Sequence, residues 1–468
     1  MNSGMRRWSR KRSHPFALLS CLVHIGDGAP SLLLLGIVNF TLLLSSLIMR
    51  CLSYWATIAL QLFCHLGPAT AVAVPRQKNY TGGNGGIIAP KVFIISMFEP
   101  ESEAWKTSMV ESGTGNLNDS KIDMPGLSML YPQVLCTADH SVCQLTAGEG
   151  EINAAASAMA LVLSDKFNLT QTYFAVGGIA GVNPKYSTLG GVALSRYVIQ
   201  VTLQYELDAR EKPDNFSTGY FAYGTEGPSE YPASIYGTEV FEVNDALRDA
   251  AYGFAQKAEL SDSPAVAEYR AKYREAGAEY AAATELPTVV KCDTATSDVY
   301  YTGTLLSEAF EAVSQVWTNG TGEYCMSAQE DNAVLEVLVR GAIQGLVDFS
   351  RVLVIRTGSD FDRPPPNVTA YQHLLEDQNG FSTAVANLGK AGAEIVRGIL
   401  QGWEQTFQTG IKPTNYIGDI FGSLGGQPDF GPGSQANGTG YAAAPVQRRA
   451  AQMRTRGYRG ASVVRRRI

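Results

Sequence analysis

Histidine is scarce in this chain, and its placement excludes more than its number does. Three of the five stand before residue 66, leaving only His140 and His373 in the body. That is too few for a His-centred metal site, and the cysteines show no zinc-ligand spacing, so neither a metal nor a resident cofactor is expected. Long apolar runs are also missing from most of the chain. Beyond residue 75 no uncharged apolar stretch reaches the roughly 18 residues of a membrane-spanning helix. A transport path needs several helices or a closed barrel, so this chain alone is not expected to form a channel. Acid is missing from both ends: residues 1–14 carry five Lys/Arg, residues 447–468 carry eight Arg, and neither segment holds an Asp or Glu. The formal net charge of -7 therefore hides a body of about −20, which excludes nucleic acid as a natural partner. No internal repeat is visible.

What is present points first to a compartment. Hydrophobic residues make up 45% of the 468 and charged ones 17%, enough for the core of one large domain or two ordinary ones. A basic stretch, Arg6 to Arg12, precedes apolar sequence that continues to Pro75. Within it, Ala29–Met49 is uncharged and long enough to span a bilayer. Read from Met49, residues 49–73 form a complete signal peptide: one Arg, an apolar run, and Ala-x-Ala cleavage contexts at 69–71 and 71–73. On this reading residues 1–75 are a leader and residues 1–48 an over-extension ahead of the true start; the competing reading is a signal anchor. Seven Asn-x-Ser/Thr sequons, at Asn79, Asn118, Asn168, Asn215, Asn319, Asn367 and Asn437, agree with export. So do the cysteines. Three lie in the leader, and Cys136, Cys143, Cys292 and Cys325 form an even set in the body. Of three pairings, Cys136–Cys143 across a short turn with Cys292–Cys325 is preferred. The expected setting is extracellular or at the cell surface, with association to membrane or cell wall and any homo-oligomer left open.

Residues 76–90 read as a polar, Gly-rich linker. From there strands and helices alternate. Lys91–Met97 is a buried strand, residues 133–146 a hairpin, Ile152–Leu163 a helix, and Tyr173–Val176 a strand running into Gly177, Gly178 and Gly181. Residues 192–202 favour strand and 240–285 favour helix. Residues 332–349 form an amphipathic helix before strand Val352–Arg356, and 382–407 a last helix. The alternation predicts an α/β sheet with helices on both faces over residues 91–413. Residues 414–468, rich in Gly, Pro, Gln and Arg, read as a disordered basic tail.

In such sheets ligands gather at the carboxyl ends of strands. Those ends carry FEPESE (98–103), the glycine block, SDVYY (297–301) and RTGSD (356–360), with QEDN (329–332) at a helix start. Each alone has a bland reading as a cap, a turn or a solvated loop. Their order changes the weighing. KVFIISMFEPESEAW, GEGEINAAASAMAL, FAVGGIAGVNP, GTEVFEVN, CDTATSDVYYTG, YCMSAQEDNA and VIRTGSDFDRP resemble, over about residues 90–413, the purine nucleoside permeases. Several blocks are also similar to the nucleoside phosphorylase superfamily, and most to its hydrolytic methylthioadenosine/S-adenosylhomocysteine nucleosidases. The resemblance implies a three-layer, nucleoside phosphorylase-like fold with a mixed twisted sheet, and a purine nucleoside as ligand. It implies Asp360 as the acid that protonates the base and Glu101 as the residue that positions water. It places Glu330, or Asp331 in its stead, on the ribose hydroxyls, and Ser297, Asp298 and Tyr300 beside the base. Gly177, Gly178 and Gly181 let backbone approach the ligand. Two functions follow: a nucleoside-binding protein that supports uptake, and a secreted purine nucleosidase. The arginines that phosphorylases carry in the first-strand loop and before the glycine block are absent, so phosphate is expected to meet Glu99, Glu101 and Glu103 with no guanidinium nearby. That ranks hydrolysis above phosphorolysis.

Overall fold

The computed structural model describes residues 86–420. The leader, the segment 49–73, Asn79, Asn437 and the tail beyond residue 420 lie outside them. In chain order the elements are β1 (Val92–Ser96), α1 (Glu99–Glu111), β2 (Ser120–Asp123), β3 (Gln133–Cys136), β4 (Val142–Thr146), α2 (Glu151–Leu163) and β5 (Tyr173–Val182). Next come β6 (Val192–Ser195), β7 (Tyr197–Gln200), β8 (Tyr205–Glu206), β9 (Tyr220–Phe221), β10 (Val240–Glu242), α3 (Asp245–Ala255), α4 (Pro264–Ala271), β11 (Val289–Lys291) and β12 (Asp293–Thr296). The last are α5 (Thr304–Trp317), β13 (Tyr324–Ala328), α6 (Asp331–Ile343), β14 (Val352–Phe361), α7 (Ala370–Leu375), α8 (Phe381–Gln401) and β15 (Gly418–Asp419).

The fold is α/β in three layers around a mixed sheet of thirteen strands. β1 runs parallel to β4 and β5, and β14 parallel to β5, whereas β13 joins β5 antiparallel. Pleating explains the layers. Alternate side chains of β1 point to opposite faces: Phe93 and Ile95 pack with α2 and α6, and Val92 and Ile94 with α1, α3 and α8. Both faces are covered, so β1 is buried at every position and apolar from Val92 to Ile95 instead of alternating with polar residues. Among the described residues no helix is long and apolar enough to cross a membrane.

Both expected disulfides form. Cys136 and Cys143 are register partners on β3 and β4, and Cys292 bonds Cys325 between the adjoining β12 and β13 segments. Several segments depart from the expectation. The span 240–285 is not one helix but a strand, two helices and 3-10 turns, because Asn244 and Ser263 cap new helices with their side chains. Strands β5 and β14 do not stop at Val176 and Arg356. They continue side by side through the glycine block to Val182 and Phe361, since glycine offers no side chain to obstruct the neighbouring strand. The linker is packed at its end, where Ile88 bridges Phe167. Residues 414–420, expected to be disordered, instead belong to the fold: β15 pairs with β10, and Tyr416, Ile417 and Ile420 are buried.

Candidate functional site

A cavity of about 440 Å³ opens where β1, β12, β13 and β14 end beside the second half of β5, within the size range of small-molecule sites. Helix α1 starts immediately after β1, and its N-cap Phe98 has no side chain to cap it. Helical spacing leaves Glu99 and Glu103 in solvent and turns Glu101 inward, where it is 1% exposed. One Glu101 carboxylate oxygen accepts the Met97 N–H at 2.7 Å and the other the Ile179 N–H at 2.7 Å. The same carboxylate therefore closes the helix start and lines the cavity. Burial pushes its pKa up to about 7, against the opposing pull of Arg356 and of the two backbone donors.

Asp360 enters from the end of β14. The Tyr300 hydroxyl donates to its Oδ2 at 2.7 Å and the Ser359 hydroxyl to its Oδ1 at 2.6 Å. Burial raises its pKa although both hydrogen bonds lower it. Glu330 lines the cavity and accepts the Gly150 N–H at 3.0 Å; burial raises its pKa as well. Ser297 and Tyr300 line it from the loop after β12, and Gly181 from β5.

The other expected residues lie elsewhere. Asp331, the alternative to Glu330, is fully buried against the Arg356 guanidinium and does not line the cavity. Asp298 points to the start of α2, accepting the Glu151 N–H at 2.9 Å, and takes the place of a cap that Gly150 cannot supply. Gly177 faces Trp105 in the helix layer. A Cβ on Gly178 would sit 2.4 Å from Glu101 Oε1 and 2.6 Å from Arg356 Nη1. That glycine makes room for the carboxylate–guanidinium cluster instead of a ligand. A Cβ on Gly181 would meet Ser327 Oγ at 2.4 Å and Asp360 Oδ2 at 3.6 Å, which leaves Gly181 as the glycine that keeps the cavity open.

Arg356 corrects the expectation that no guanidinium lies near the acidic loop. It comes from β14, is 1% exposed and lines the cavity. Its donors are largely spent: Nε on Asp331 at 3.1 Å, Nη2 on Asp331 and on Glu330 at 3.3 Å, and Nη1 on the Ile179 carbonyl at 3.0 Å. Six carboxylates line the cavity (Glu101, Glu149, Glu330, Asp360, Glu376 and Asp377) against this one guanidinium. The site favours hydroxyl donors, N–H donors and developing positive charge over a phosphate dianion. The apolar share of the wall comes from Met97, Phe98, Val299 and Phe381. The signal that could have revealed Arg356 was its position four residues before Asp360 on a strand parallel to β5. Among the described residues no His/Cys/Asp/Glu group suited to a metal ion is found.

Comparison with known proteins agrees with the sequence resemblance. The sequence model of the family Purine nucleoside permease (NUP) matches residues 89–412. The purine nucleoside permease of Candida albicans is 45% identical over 375 residues, covering 78% of this chain and 89% of that protein. A probable purine nucleoside permease of Schizosaccharomyces pombe is 40% identical over 344 residues, covering 72% and 96%. Among solved structures, the 5'-methylthioadenosine/S-adenosylhomocysteine nucleosidase of Helicobacter pylori aligns at a TM-score of 0.39 and 11% identity, covering 67% of this chain and 98% of that one. The corresponding nucleosidase of Neisseria meningitidis aligns at 0.37 and 15%, covering 66% and 99%. At these TM-scores the structural likeness carries no functional argument. The family match and the two fungal relatives do: this chain belongs to the purine nucleoside permease family.

Proposed function

We propose that this protein binds purine nucleosides in the cavity beside Glu101, Glu330 and Asp360, outside the cell, as the capture step of nucleoside uptake. The observation that carries this reading is the match between wall and ligand. A nucleoside offers an apolar, planar base with a polar edge and a sugar rich in O–H donors. The cavity offers apolar surface from Phe98, Val299 and Phe381, with acceptor carboxylates around it. The Candida albicans relative is named a purine nucleoside permease, which supports both the ligand class and the uptake role. The signal peptide read over residues 49–73 supports capture outside the cell, as do the exposed sequons at Asn118, Asn215, Asn319 and Asn367.

A second reading, hydrolysis of the N-glycosidic bond, is favoured by one specific observation. Two carboxyl groups with raised pKa, Glu101 and Asp360, line the same cavity. As the bond between C1′ and the base nitrogen breaks, its electron pair leaves with the base, which takes a proton from Asp360. Water held by ionised Glu101 gives that residue a proton and bonds to C1′. The products are free base and free sugar. The assay is base release from adenosine, inosine and guanosine by the full chain, with and without phosphate. Base released without phosphate supports hydrolysis, and release only with phosphate contradicts it. Binding with no release leaves capture alone. If hydrolysis occurs, Asp360→Asn is expected to lower its rate at least a hundredfold while retaining most of the nucleoside affinity.

A further inference from the structure

The segment between β14 and α8 is more than a connection. It returns across the end of β14 and lines the cavity with His373, Leu374, Glu376, Asp377, Gln378 and Gly380. It also grips the backbone of Phe361, the residue that follows Asp360. His373 Nε2 lies 2.8 Å from the Phe361 carbonyl oxygen, and the Phe361 N–H donates to Gln378 Oε1 at 2.7 Å. Both backbone groups of the residue next to Asp360 are therefore held by side chains of one short segment. A third contact tightens the same place: Gly380 approaches the Ser359 carbonyl so closely that a Cβ would stand 2.1 Å from that oxygen. The region is where such a grip counts, since the β14–β5 register shifts between Gly358 and Asp360 and the strand there is not fixed by a regular ladder.

We infer that His373 and Gln378 are positioning residues for Asp360, clamping the Phe361 backbone on both sides so that the Asp360 carboxyl is held towards the cavity. The inference rests on the nucleoside-binding reading for what Asp360 meets, but the clamp itself is a property of the free protein. The tautomer follows from geometry. A ring nitrogen 2.8 Å from a carbonyl oxygen must carry the proton, so Nε2 is the N–H and Nδ1 the acceptor. The Tyr269 hydroxyl, 3.0 Å from Nδ1, then donates to it. His373 is 1% exposed, and burial lowers its pKa, which favours this neutral form. The charged and titratable groups around it are Asp360 on β14, Asp362 just after it, Glu376 on its own segment and Tyr269 on α4.

Two substitutions separate a clamp from mere packing. His373→Gln keeps an N–H near the position of Nε2, whereas His373→Asn is too short to reach the Phe361 carbonyl. The experiment uses the full chain and reads adenosine, inosine and guanosine affinity by calorimetry, together with the Asp360 carboxyl titration by carbon NMR. The expected result is a loss of about tenfold or more in affinity for His373→Asn, and near-wild-type affinity for His373→Gln. In parallel the Asp360 midpoint falls towards the ordinary carboxylate range in the Asn variant and stays raised in the Gln variant. Equal behaviour of the two variants overturns the inference. Should His373→Asn not fold, the nitrogen NMR shifts of the wild-type ring decide: a protonated Nε2 near neutral pH is required, and an unprotonated Nε2 refutes the clamp. If the wild type binds no nucleoside, the binding reading fails, while the ring tautomer and the Asp360 midpoint still test the clamp.

Discussion

Glu101 and Arg356 show how much energy one buried group can control. Glu101 carries a pKa raised from 4.5 to about 7 by burial. A group that binds its proton more tightly when folded stabilises the fold most below its unfolded pKa and loses that contribution as pH rises through the folded one. Ionising Glu101 therefore costs stability between about pH 4.5 and 7, on the order of 3 kcal/mol. Melting curves at pH 5 and pH 8 test this: Glu101→Gln is expected to narrow the wild-type drop in Tm between the two. An unchanged drop contradicts the assignment. Arg356 has the opposite role, since it compensates Asp331 and Glu330, which are 0% and 4% exposed. Removing one member of a buried pair strands the other, so Arg356→Ala should cost roughly 3–5 kcal/mol in denaturant unfolding. Cutting the exposed Glu103–Lys106 pair should cost no more than about 1 kcal/mol. Arg356 also marks the limit of what the sequence discloses. It stands inside the VIRTGSD motif, yet nothing local says that its guanidinium lies near the Glu101 carboxylate of the first helix. That meeting depends on sheet order, which sets β14 beside β5 and β5 beside β1. Glu101 comes forward only through the family resemblance, since the run FEPESE taken alone also reads as a solvated acidic loop.

At the scale of elements, legibility follows the range of the forces involved. The apolar runs of β1 and of the first half of β5, and the alanine-rich α2, state their structure through local composition, and the structure agrees within a residue or two. The second halves of β5 and β14 do not. Glycine is locally a turn signal, and only its parallel neighbour makes it a strand. The same holds for β15, whose Gly and Asp have little strand preference of their own but pair with β10. That pairing carries a prediction. Tyr416, Ile417 and Ile420 are each at most 2% exposed, and each buried side chain of this kind is worth about 1.5–3 kcal/mol. A truncation after Pro413 should therefore lose several kcal/mol, whereas one after Ile420 should melt within a few degrees of the full chain. Equal melting of the two truncations would show that β15 contributes nothing.

The whole molecule combines an acidic body with a carboxylate-lined cavity, and both disfavour anionic ligands. The proposal of capture outside the cell draws on the reading of residues 49–73 as a signal peptide, on the sequons and on the two buried disulfides. The one measurement that bears most directly on the proposed function is calorimetric titration of the purified full chain with adenosine, inosine and guanosine, set beside inorganic phosphate and a nucleoside monophosphate. The expected result is saturable binding of at least one free purine nucleoside at one site per chain, weakened by Glu330→Ala, with no detectable binding of phosphate and at least tenfold weaker binding of the monophosphate. Absence of binding by all three nucleosides, or a preference for the phosphorylated ligand, would contradict it.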